Sequence, residues 1–356
     1  MDDNTRRKLR DWGLQGTRGC LAMGSAATAV HTGGSNRPRK SLSLGHPRVV
    51  PTICRSKNRH PILLLGPKPP QYLGVPGALA LMGISEARAP ALHSWFLPGT
   101  KRRRRQSAAP APDASEAISL LGAAMHWDVV VVILQWIKAR LRPGIVNDRD
   151  PGTVAEHFAG VAVATAAAQW VWPGLRAVFF TELEKAALQR SCLRHCHPQA
   201  SIVLDATSEA ARNGFPAHLL LLIAGFPCEP HSQLTWLAAV PPSPASRDLS
   251  DLFAALRPLE DSSCPHLQPV IVLLENVMGI LYGAYPRLCA ELPRRYPQYQ
   301  WFTGLVCPQL HAGLPLRRRR VFWPAIRRDC LLPRHLWPRL EQEELDAALQ
   351  PLPRAR

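Results

Sequence analysis

The sequence predicts an α/β fold, with a mostly parallel Rossmann-like sheet covered by helices on both faces. Three observations predict it. Short, unbroken apolar runs recur from residue 154 onward, and such runs are typical of parallel strands that are buried on both sides. Helical stretches separate these runs, as βαβ units require. Each run ends in a polar or small residue, which places candidate ligand contacts at the carboxyl edge of the sheet.

The predicted elements follow in chain order. A helix is predicted over residues 115–142, where basic residues at the end suit a helix C-terminus. A tight turn and an Ala-rich helix to Trp170 follow the first strand, and a further helix begins at Glu184 after the second strand. The predicted strands are Val154–Phe158, Ala177–Phe180, Ser201–Leu204, Leu219–Ala224 and Val270–Leu274. Together these elements indicate one catalytic domain over residues 115–330.

Composition limits the classes of partner and compartment. The chain has 356 residues, with 43 Lys and Arg against 26 Asp and Glu and a net charge of +17. Such an excess favours a polyanionic partner, either nucleic acid or an anionic membrane surface. Every long apolar stretch contains a charge or a proline, so no membrane span is expected. Without a secretory leader, the nine cysteines are expected to be reduced thiols in a cytosolic or nuclear setting.

The two ends of the chain differ from the central domain. Residues 1–114 are basic and rich in proline, and we expect them to be largely disordered apart from a modest apolar island at residues 72–96. Lys101–Arg105 indicates a nuclear import signal or a phosphate-binding strip, or else a solvated charge cluster in a linker. Residues 331–356 are expected to be a C-terminal tail. The basic runs favour a nuclear location in a eukaryote and a cytoplasmic one otherwise.

Three strand ends together describe a site for an adenosine-containing cofactor. Small residues in Phe158-Ala159-Gly160 allow a helix N-terminus to approach a ligand. Glu182 follows about 20 residues after the glycine turn, a spacing that suits a carboxylate bound to ribose hydroxyls. Asp205 follows the third strand and has the chemistry to accept a hydrogen bond from an adenine amino group. Taken alone, each carboxylate also fits a helix N-cap or a solvated loop residue.

The later strand ends carry groups that suit catalysis. Cys228 stands between two prolines after the fourth strand, which would present it rigidly as a nucleophile. The alternative for any cysteine is a small buried apolar residue. The fifth strand ends at Glu275-Asn276, so its carboxylate lies near Cys228 if the two strands are neighbours. Arg317–Arg320 precedes an apolar stretch, and by itself it fits a solvated face or a phosphate contact.

These motifs, in this order, resemble the cytosine-5 DNA methyltransferase family. The Pro-Cys and Glu-Asn-Val motifs, at this order and separation, are the specific part. The resemblance covers residues 154–324, a little under half of the chain. The matching segments are FAGVA (158–162), TELEKAA (181–187), LDAT (204–207), GFPCEPHS (225–232), LLENVMGI (273–280) and GLPLRRRRVF (313–322).

The resemblance implies a Rossmann-like methyltransferase that uses S-adenosyl-L-methionine and no metal. Cys228 would attack C6 of a cytosine flipped out of the duplex. Glu275 would contact N3 and the exocyclic amine, and Arg320 would hold the base carbonyl and Glu275, with Arg318 nearby. The residues implied at the cofactor are Phe158, Gly160, Glu182, Asp205, Pro227 and Asn276.

The resemblance also implies DNA as the partner, with two alternatives left open. One is an RNA substrate, because a branch of the family acts on transfer RNA. The other is a DNA-associated regulatory protein that keeps the fold but has lost turnover. Departures from the family pattern favour weak activity, since Ala162 replaces the second glycine of the cofactor turn, Glu229 replaces a glutamine and Leu316 replaces another.

The order of the motifs along the chain departs from the family as well. Only about 30 residues follow Trp323, too few for the family's target recognition domain. A degenerate closing motif, Ser119–Asp128, precedes the first motif instead of following the last. The chain therefore resembles a circular permutant, or else a truncated product, and a partner chain would supply target recognition. An unrelated amphipathic helix is the alternative for residues 119–128.

Overall fold

A computed structural model gives the fold of most of the chain. It describes residues 28–31, 50–51, 62–65, 71–72, 74–97, 112–147, 149–183, 186–228, 249–260, 268–312, 316–337 and 343–353. The predicted basic run Lys101–Arg105 lies outside these residues.

The strands form one large sheet and two small ones. In chain order they are β1 (Thr28–His31), β2 (Val50–Pro51), β3 (Ile62–Leu65), β4 (Gln71–Tyr72), β5 (Thr153–His157), β6 (Arg176–Thr181), β7 (Ser201–Val203), β8 (Leu219–Gly225), β9 (Ile271–Val277), β10 (Tyr299–Val306), β11 (Leu316–Arg317), β12 (Arg320–Arg327) and β13 (Gln350–Pro351). The large sheet has the order β13-β10-β12-β9-β8-β5-β6-β7.

The helices flank this sheet. In chain order they are α1 (Val75–Leu81), α2 (Pro90–Phe96), α3 (Ala114–Ala123), α4 (Trp127–Lys138), α5 (Val163–Val171), α6 (Ala187–Cys196), α7 (Glu209–Asn213), α8 (Ser250–Ala255), α9 (Tyr285–Arg295), α10 (Pro308–His311) and α11 (Glu343–Ala348). Short 3-10 turns cover Arg257–Leu259, Met278–Tyr282 and Arg334–Leu336.

The direction of the strands defines the class of fold. The neighbours β7, β6, β5, β8 and β9 are all parallel, whereas β12, β10 and β13 continue the sheet in antiparallel pairs. The chain moves outward from β5 through β6 to β7 and then returns to place β8 on the other side of β5. That reversal is a topological switch point, where ligands bind in open α/β sheets. The predicted Rossmann-like, mostly parallel α/β fold is confirmed.

The core lies on both faces of the sheet, as unbroken apolar strands require. Along β8, Leu221 and Ile223 belong to the core layer that also contains α1 to α5. The alternate residues Leu222 and Ala224 belong to the opposite layer, with α8 and α9. This alternation follows from the two-residue repeat of a strand. Two helix layers therefore clamp the central strands and leave their carboxyl ends for a site.

The helix predicted over residues 115–142 is two helices. α3 ends at Ala123 and α4 begins at Trp127, and the residues between them, 124–126, are not helical. The link binds to the end of α1, because the Trp127 amide donates to the Met82 carbonyl at 3.1 Å and a His126 ring nitrogen lies 2.9 Å from the Leu81 carbonyl. These tertiary bonds replace the helical bonds that a single helix would make.

Among the described residues, the stretch Ala114–Lys138, which comprises α3, the link and α4, has the length and apolar composition to span a membrane. Much of it is buried against the rest of the chain, and core helices pass the same test. The expectation that the chain has no membrane span stays a prediction.

The strand boundaries shift by one to three residues from the predicted ones. β5 ends at His157, because Phe158 leaves the extended region with φ 55°. β9 continues to Val277, since β12 pairs along its whole length. Glu275 therefore lies inside a strand, where its backbone is fixed from both sides, and not in the loop after it.

The folded part extends beyond residues 115–330 at both ends. In the N-terminal region, β1, β3 and β4 form a small antiparallel sheet, and β2 pairs with β11. Leu79 and Trp95, on α1 and α2, are buried in the main core. In the predicted tail, β13 pairs with β10 and Leu345 is buried. Apolar residues in these segments cover a face of the domain, so neither segment is separate from it.

Candidate active site

The turn after β5 contains the first residues predicted to hold a cofactor. Phe158 and Gly160 have left-handed φ angles of 55° and 57°. The Phe158 amide donates to Thr181 Oγ1 at 3.2 Å, which fastens the turn to the end of β6. A Cβ built on Gly160 would have no atom within 4 Å. The turn therefore has an open side on which a ligand would meet backbone amides at the start of α5.

Glu182 follows β6, and its carboxylate closes this turn. Oε2 accepts a hydrogen bond from the Gly160 amide at 2.6 Å, and Oε1 accepts one from the Leu183 amide at 3.3 Å. A carboxylate also has the chemistry to accept hydrogen bonds from ribose hydroxyls. The structure brings Glu182 and Gly160 together, and the predicted contact of Glu182 with ribose hydroxyls stays a prediction.

Asp205 follows β7 and begins a local turn. Its Oδ1 accepts hydrogen bonds from the amide and the hydroxyl of Thr207, both at 2.8 Å. Asp205 Oδ1 therefore has the local role that the sequence left open, because it bonds to residues of its own loop. Because the side chain is exposed, an adenine amino group still has access to the carboxylate.

Ala162 begins α5 in the left-handed region, with φ 53°. That region favours glycine, because a Cβ crowds the following carbonyl. The Ala162 side chain is also buried. The departure from the family's second glycine therefore places backbone strain directly at the cofactor turn.

The catalytic candidates lie on the other side of the switch point. β8 and β9 are neighbours, and Gly225 is paired in register with Glu275. The sequence predicted that Glu275 lies near Cys228 if these two strands are neighbours, and this condition is met. Cys228 follows β8 by three residues and is half-buried, with Pro227 just before it. Glu229 lies outside the described residues.

Glu275 forms an ion pair with Arg320, which begins β12. Arg320 Nε lies 3.0 Å from Glu275 Oε1, and the two side chains are only 17% and 12% exposed. Burial raises the pKa of Glu275 above its usual value, although the charges of Arg320 and Arg318 oppose that shift. A carboxyl group with a raised pKa retains a proton more readily and suits donation to a ring nitrogen.

Asn276 is fully buried beside this pair. Its Nδ2 donates to the Phe226 carbonyl at 3.3 Å, and its Oδ1 accepts from the Val277 amide at 2.7 Å. These bonds join β9 to the residue that precedes Pro227 and Cys228. In this structure Asn276 holds the cysteine turn in place, and its predicted contact with the cofactor stays a prediction.

Arg318 has surroundings different from those of Arg320. Its Nη2 donates to the carbonyls of Gly122 and Ala124, at 2.9 and 2.7 Å, and the side chain is almost fully buried. Both carbonyls belong to Ser119–Asp128, the segment that resembles a displaced closing motif. α4 begins within this segment, at Trp127, and it packs against α5 beside the cofactor turn.

Two buried titratable residues beneath the cofactor turn were missed at the sequence level. Glu156 Oε2 accepts from the Thr165 amide at 3.2 Å and from its hydroxyl at 2.6 Å, and burial raises the pKa of Glu156 to about 8. His157 Nδ1 lies 3.1 Å from Thr181 Oγ1, and burial lowers its pKa to about 4. The available signal was two polar residues inside an otherwise apolar strand.

Two further features of the structure are candidate sites. A cavity of about 250 Å³ is lined by α2, α5, the end of α6 and, from the cofactor turn, Val161 and Ala162, although none of the predicted site residues lines it. Cys192 and Cys196 on α6 have their sulfur atoms 3.9 Å apart. Within the described ranges, no group of three or more His, Cys, Asp and Glu side chains is arranged to hold a metal ion.

No protein-family model matches the chain, and no curated protein matches it either. Among solved structures it is similar to the Dnmt2 methyltransferase of S. pombe, at 19% identity and TM-score 0.34, over 49% of each chain. It is also similar to a putative DNA modification methyltransferase encoded within an E. coli prophage, at 19% identity and TM-score 0.34, over 50% of this chain and 47% of that one. A putative O-methyltransferase from Klebsiella pneumoniae is similar at 10% identity and TM-score 0.35, over 67% and 90%.

The chain thus spans about half the length of the first two of these proteins. At such identities and scores the likeness concerns the fold alone, and it adds nothing to the geometry of the site.

Proposed function

We propose that this chain is an S-adenosylmethionine-dependent DNA (cytosine-5-)-methyltransferase. One observation carries the proposal. A cysteine follows β8 by three residues, and the last residue of β8 pairs in register with a largely buried carboxylate on β9 that is ion-paired with an arginine on β12. The residues concerned are Cys228, Glu275 and Arg320. Nucleophile, acid and cation at one sheet edge are what attack on a pyrimidine ring requires.

The residues have distinct roles in this reaction. The Cys228 thiolate adds to C6 of cytosine, and the electrons of the C5–C6 double bond make C5 nucleophilic. Glu275 contacts N3 and the exocyclic amine, and Arg320 holds the base carbonyl while it orients Glu275. S-adenosylmethionine, held by Gly160, Glu182 and Asp205, would supply the methyl group to C5 and would leave as S-adenosylhomocysteine. Loss of the C5 proton to solvent and breakage of the S–C6 bond restore the ring and the thiolate.

The cofactor residues support the same reading. Gly160 has open space at a helix start, and the Glu182 carboxylate has the chemistry to accept hydrogen bonds from ribose hydroxyls. Asp205 is exposed for the adenine amino group. Phe158, Pro227 and Asn276 are also proposed to contact the cofactor.

The proposed partner is DNA. A net charge of +17 supports phosphate contacts, which are independent of sequence and weakened by salt. The target base must leave the duplex to reach Cys228. Recognition of the target by a partner chain, and a nuclear or cytoplasmic location, belong to the same proposal.

The strained Ala162 favours a second candidate, a DNA-associated regulatory protein that has lost turnover. Its left-handed φ and buried side chain lie at the cofactor turn, where strain of about 1–3 kcal/mol is typical. Such a protein would keep the fold and bind nucleic acid, but it would transfer no methyl group.

The test is transfer of a labelled methyl group from S-adenosylmethionine to mixed-sequence DNA, with transfer RNA in parallel. We expect label in DNA cytosine, and a loss of at least about 10³-fold in Cys228→Ser with unchanged cofactor affinity. Cys289→Ser is the matched control, since Cys289 is also half-buried but lies on α9. It should keep full activity.

Each other outcome points elsewhere. Label only in RNA would move the substrate to transfer RNA. Cofactor binding without label would favour the regulatory protein. Loss of both would contradict a methyltransferase of either kind.

A further inference from the structure

We propose that Arg318 is a positioning residue, which fastens the link between α3 and α4 over the sheet edge and thereby holds the cysteine turn and Glu275 in register. The proposal rests on the proposed function. It assigns Arg318 a role apart from that of Arg320, although only one residue separates them in the chain.

Arg318 donates its hydrogen bonds at the C-terminus of α3. α3 ends at Ala123, so the Gly122 carbonyl is among the last four of that helix, and these have no partner within it. The Ala124 carbonyl follows directly. Arg318 Nη2 donates to both, at 2.9 and 2.7 Å. A buried cation at a helix C-terminus is stabilised by these carbonyl dipoles, and it stabilises the helix end in turn.

The link that Arg318 holds adjoins the reactive groups. If Gly225 carried a Cβ, Met125 Cε would lie 3.0 Å from it and Glu275 Oε2 3.7 Å from it. Met125 therefore packs against Gly225, the last residue of β8. Gly225 lies beside the Glu275 carboxylate and three residues before Cys228. A displacement of the link would open this contact and free the end of β8.

The opposite side of the link is bound to α1. The Trp127 amide donates to Met82, and the His126 ring meets the Leu81 carbonyl. Arg318 supplies the anchorage on the sheet side, so the link is held between α1 and the start of β12. Because Arg320 begins that strand and pairs with Glu275, one short segment orients both the carboxylate and the link.

The expected consequence is a loss of rate without a loss of cofactor affinity. Arg318→Met keeps the apolar stem but removes the charge and both donors. Misplacement of reacting groups by about 1 Å costs about 10²-fold in rate, and we expect a fall in kcat of that size. The cofactor Kd should hold, because Gly160 and Glu182 are bonded to each other on the far side of β5.

The experiment uses the full chain in four forms: wild type, Arg318→Met, Arg318→Lys and Arg327→Met. Arg327 is the matched control, because it is also largely buried and donates to a backbone carbonyl, that of Gln268 at 2.8 Å, at the other end of β12. Three quantities are measured: kcat for methyl transfer, the Kd of S-adenosylmethionine by calorimetry, and hydrogen exchange of the amides at residues 121–127.

Arg318→Met should raise exchange in the link and lower kcat while Kd stays constant. Arg318→Lys keeps a charged donor, so its link exchange and its kcat should both be closer to the wild-type values than those of Arg318→Met. Arg327→Met should change neither. Unchanged link exchange in both Arg318 variants would overturn the proposal, and so would a kcat that falls only in step with cofactor affinity.

The exchange measurement separates this proposal from the proposed function. A wild-type chain that transfers no methyl group contradicts the function, whereas the link exchange of Arg318→Met still decides whether Arg318 holds the link. If Arg318→Met does not fold, Arg318→Lys is expected to show a smaller rise in exchange, and wild-type exchange in that variant would overturn the proposal.

Discussion

The two halves of the candidate site are held together in different ways. In the cofactor half, turns after β5, β6 and β7 are closed by bonds between nearby residues, such as Glu182 with Gly160. In the catalytic half, the ends of β8, β9 and β12 meet a link from the N-terminal helices, and Arg318 bonds a carbonyl 196 positions away. The comparison teaches that local turns build the binding half, whereas long-range assembly builds the reactive half. Substitutions in the cofactor half should change cofactor affinity or protein stability. Substitutions in the catalytic half should change the rate of methyl transfer.

Glu275→Gln should have the largest of the expected effects, and the effect should be on the rate of methyl transfer. Glutamine keeps the size of the side chain, but it cannot transfer a proton to N3 and leaves Arg320 without its carboxylate. We expect methyl transfer at saturating cofactor to fall about 10³-fold, or about 4 kcal/mol. The Kd of S-adenosylmethionine should be unchanged. Single-turnover transfer and calorimetry measure the two.

The matched control for this variant is Glu291→Gln. Glu291 also pairs with arginines, Arg294 and Arg295, but on the surface of α9, and its loss should leave the rate unchanged. If Glu275→Gln weakened cofactor binding as much as it slowed transfer, the division between the halves would not hold.

The sequence predicted the cofactor half more completely than the catalytic half. Gly160 and Glu182 lie 22 positions apart across one βα unit, and this spacing predicted that both belong to one cofactor site. The alternation of strands and helices predicted the fold class, and the strand ends predicted that Cys228 and Glu275 would meet if β8 and β9 were neighbours. Register then confirmed that neighbourhood.

The break between α3 and α4 and the partners of Arg318 could not be predicted. Residues 124–126 are alanine, methionine and histidine, none of which breaks a helix, and the break arises from tertiary bonds to Met82 and Leu81. The contact of Arg318 with Gly122 follows from no local pattern, because it depends on how two distant segments pack. For the same reason the polar Glu156 in β5 gave no indication of its partner on α5.

Glu156→Gln should have an intermediate effect and fall on stability. Burial raises the pKa of Glu156 in the folded state to about 8, from an ordinary value of 4.5, so the folded state binds the extra proton between these values. Stability is then full below about pH 4.5 and falls as the pH rises toward 8. One pKa unit is worth about 1.4 kcal/mol, and allowing for partial relaxation we expect wild type to lose about 3 kcal/mol that the variant does not lose.

Urea unfolding at pH 5 and pH 8 measures this difference. Glutamine mimics the protonated acid and still accepts from Thr165, so the two proteins should match at pH 5. Glu209→Gln, at an exposed position that begins α7, should behave as wild type at both pH values. Equal loss in wild type and Glu156→Gln would show that Glu156 does not bind the extra proton.

Glu182→Gln should have the smallest effect and fall on affinity. The amide oxygen of glutamine can still accept from the Gly160 amide, so the turn should remain closed. The variant loses the charge that strengthens hydrogen bonds to two ribose hydroxyls, and we expect the Kd of S-adenosylmethionine to rise roughly tenfold, about 1.4 kcal/mol. Transfer at saturating cofactor should be unchanged. Glu182→Ala also opens the turn and should weaken binding further, which calorimetry on both variants would show. A slower rate at saturation with unchanged Kd would mean that Glu182 acts on the reactive groups, and the two halves would then be one unit.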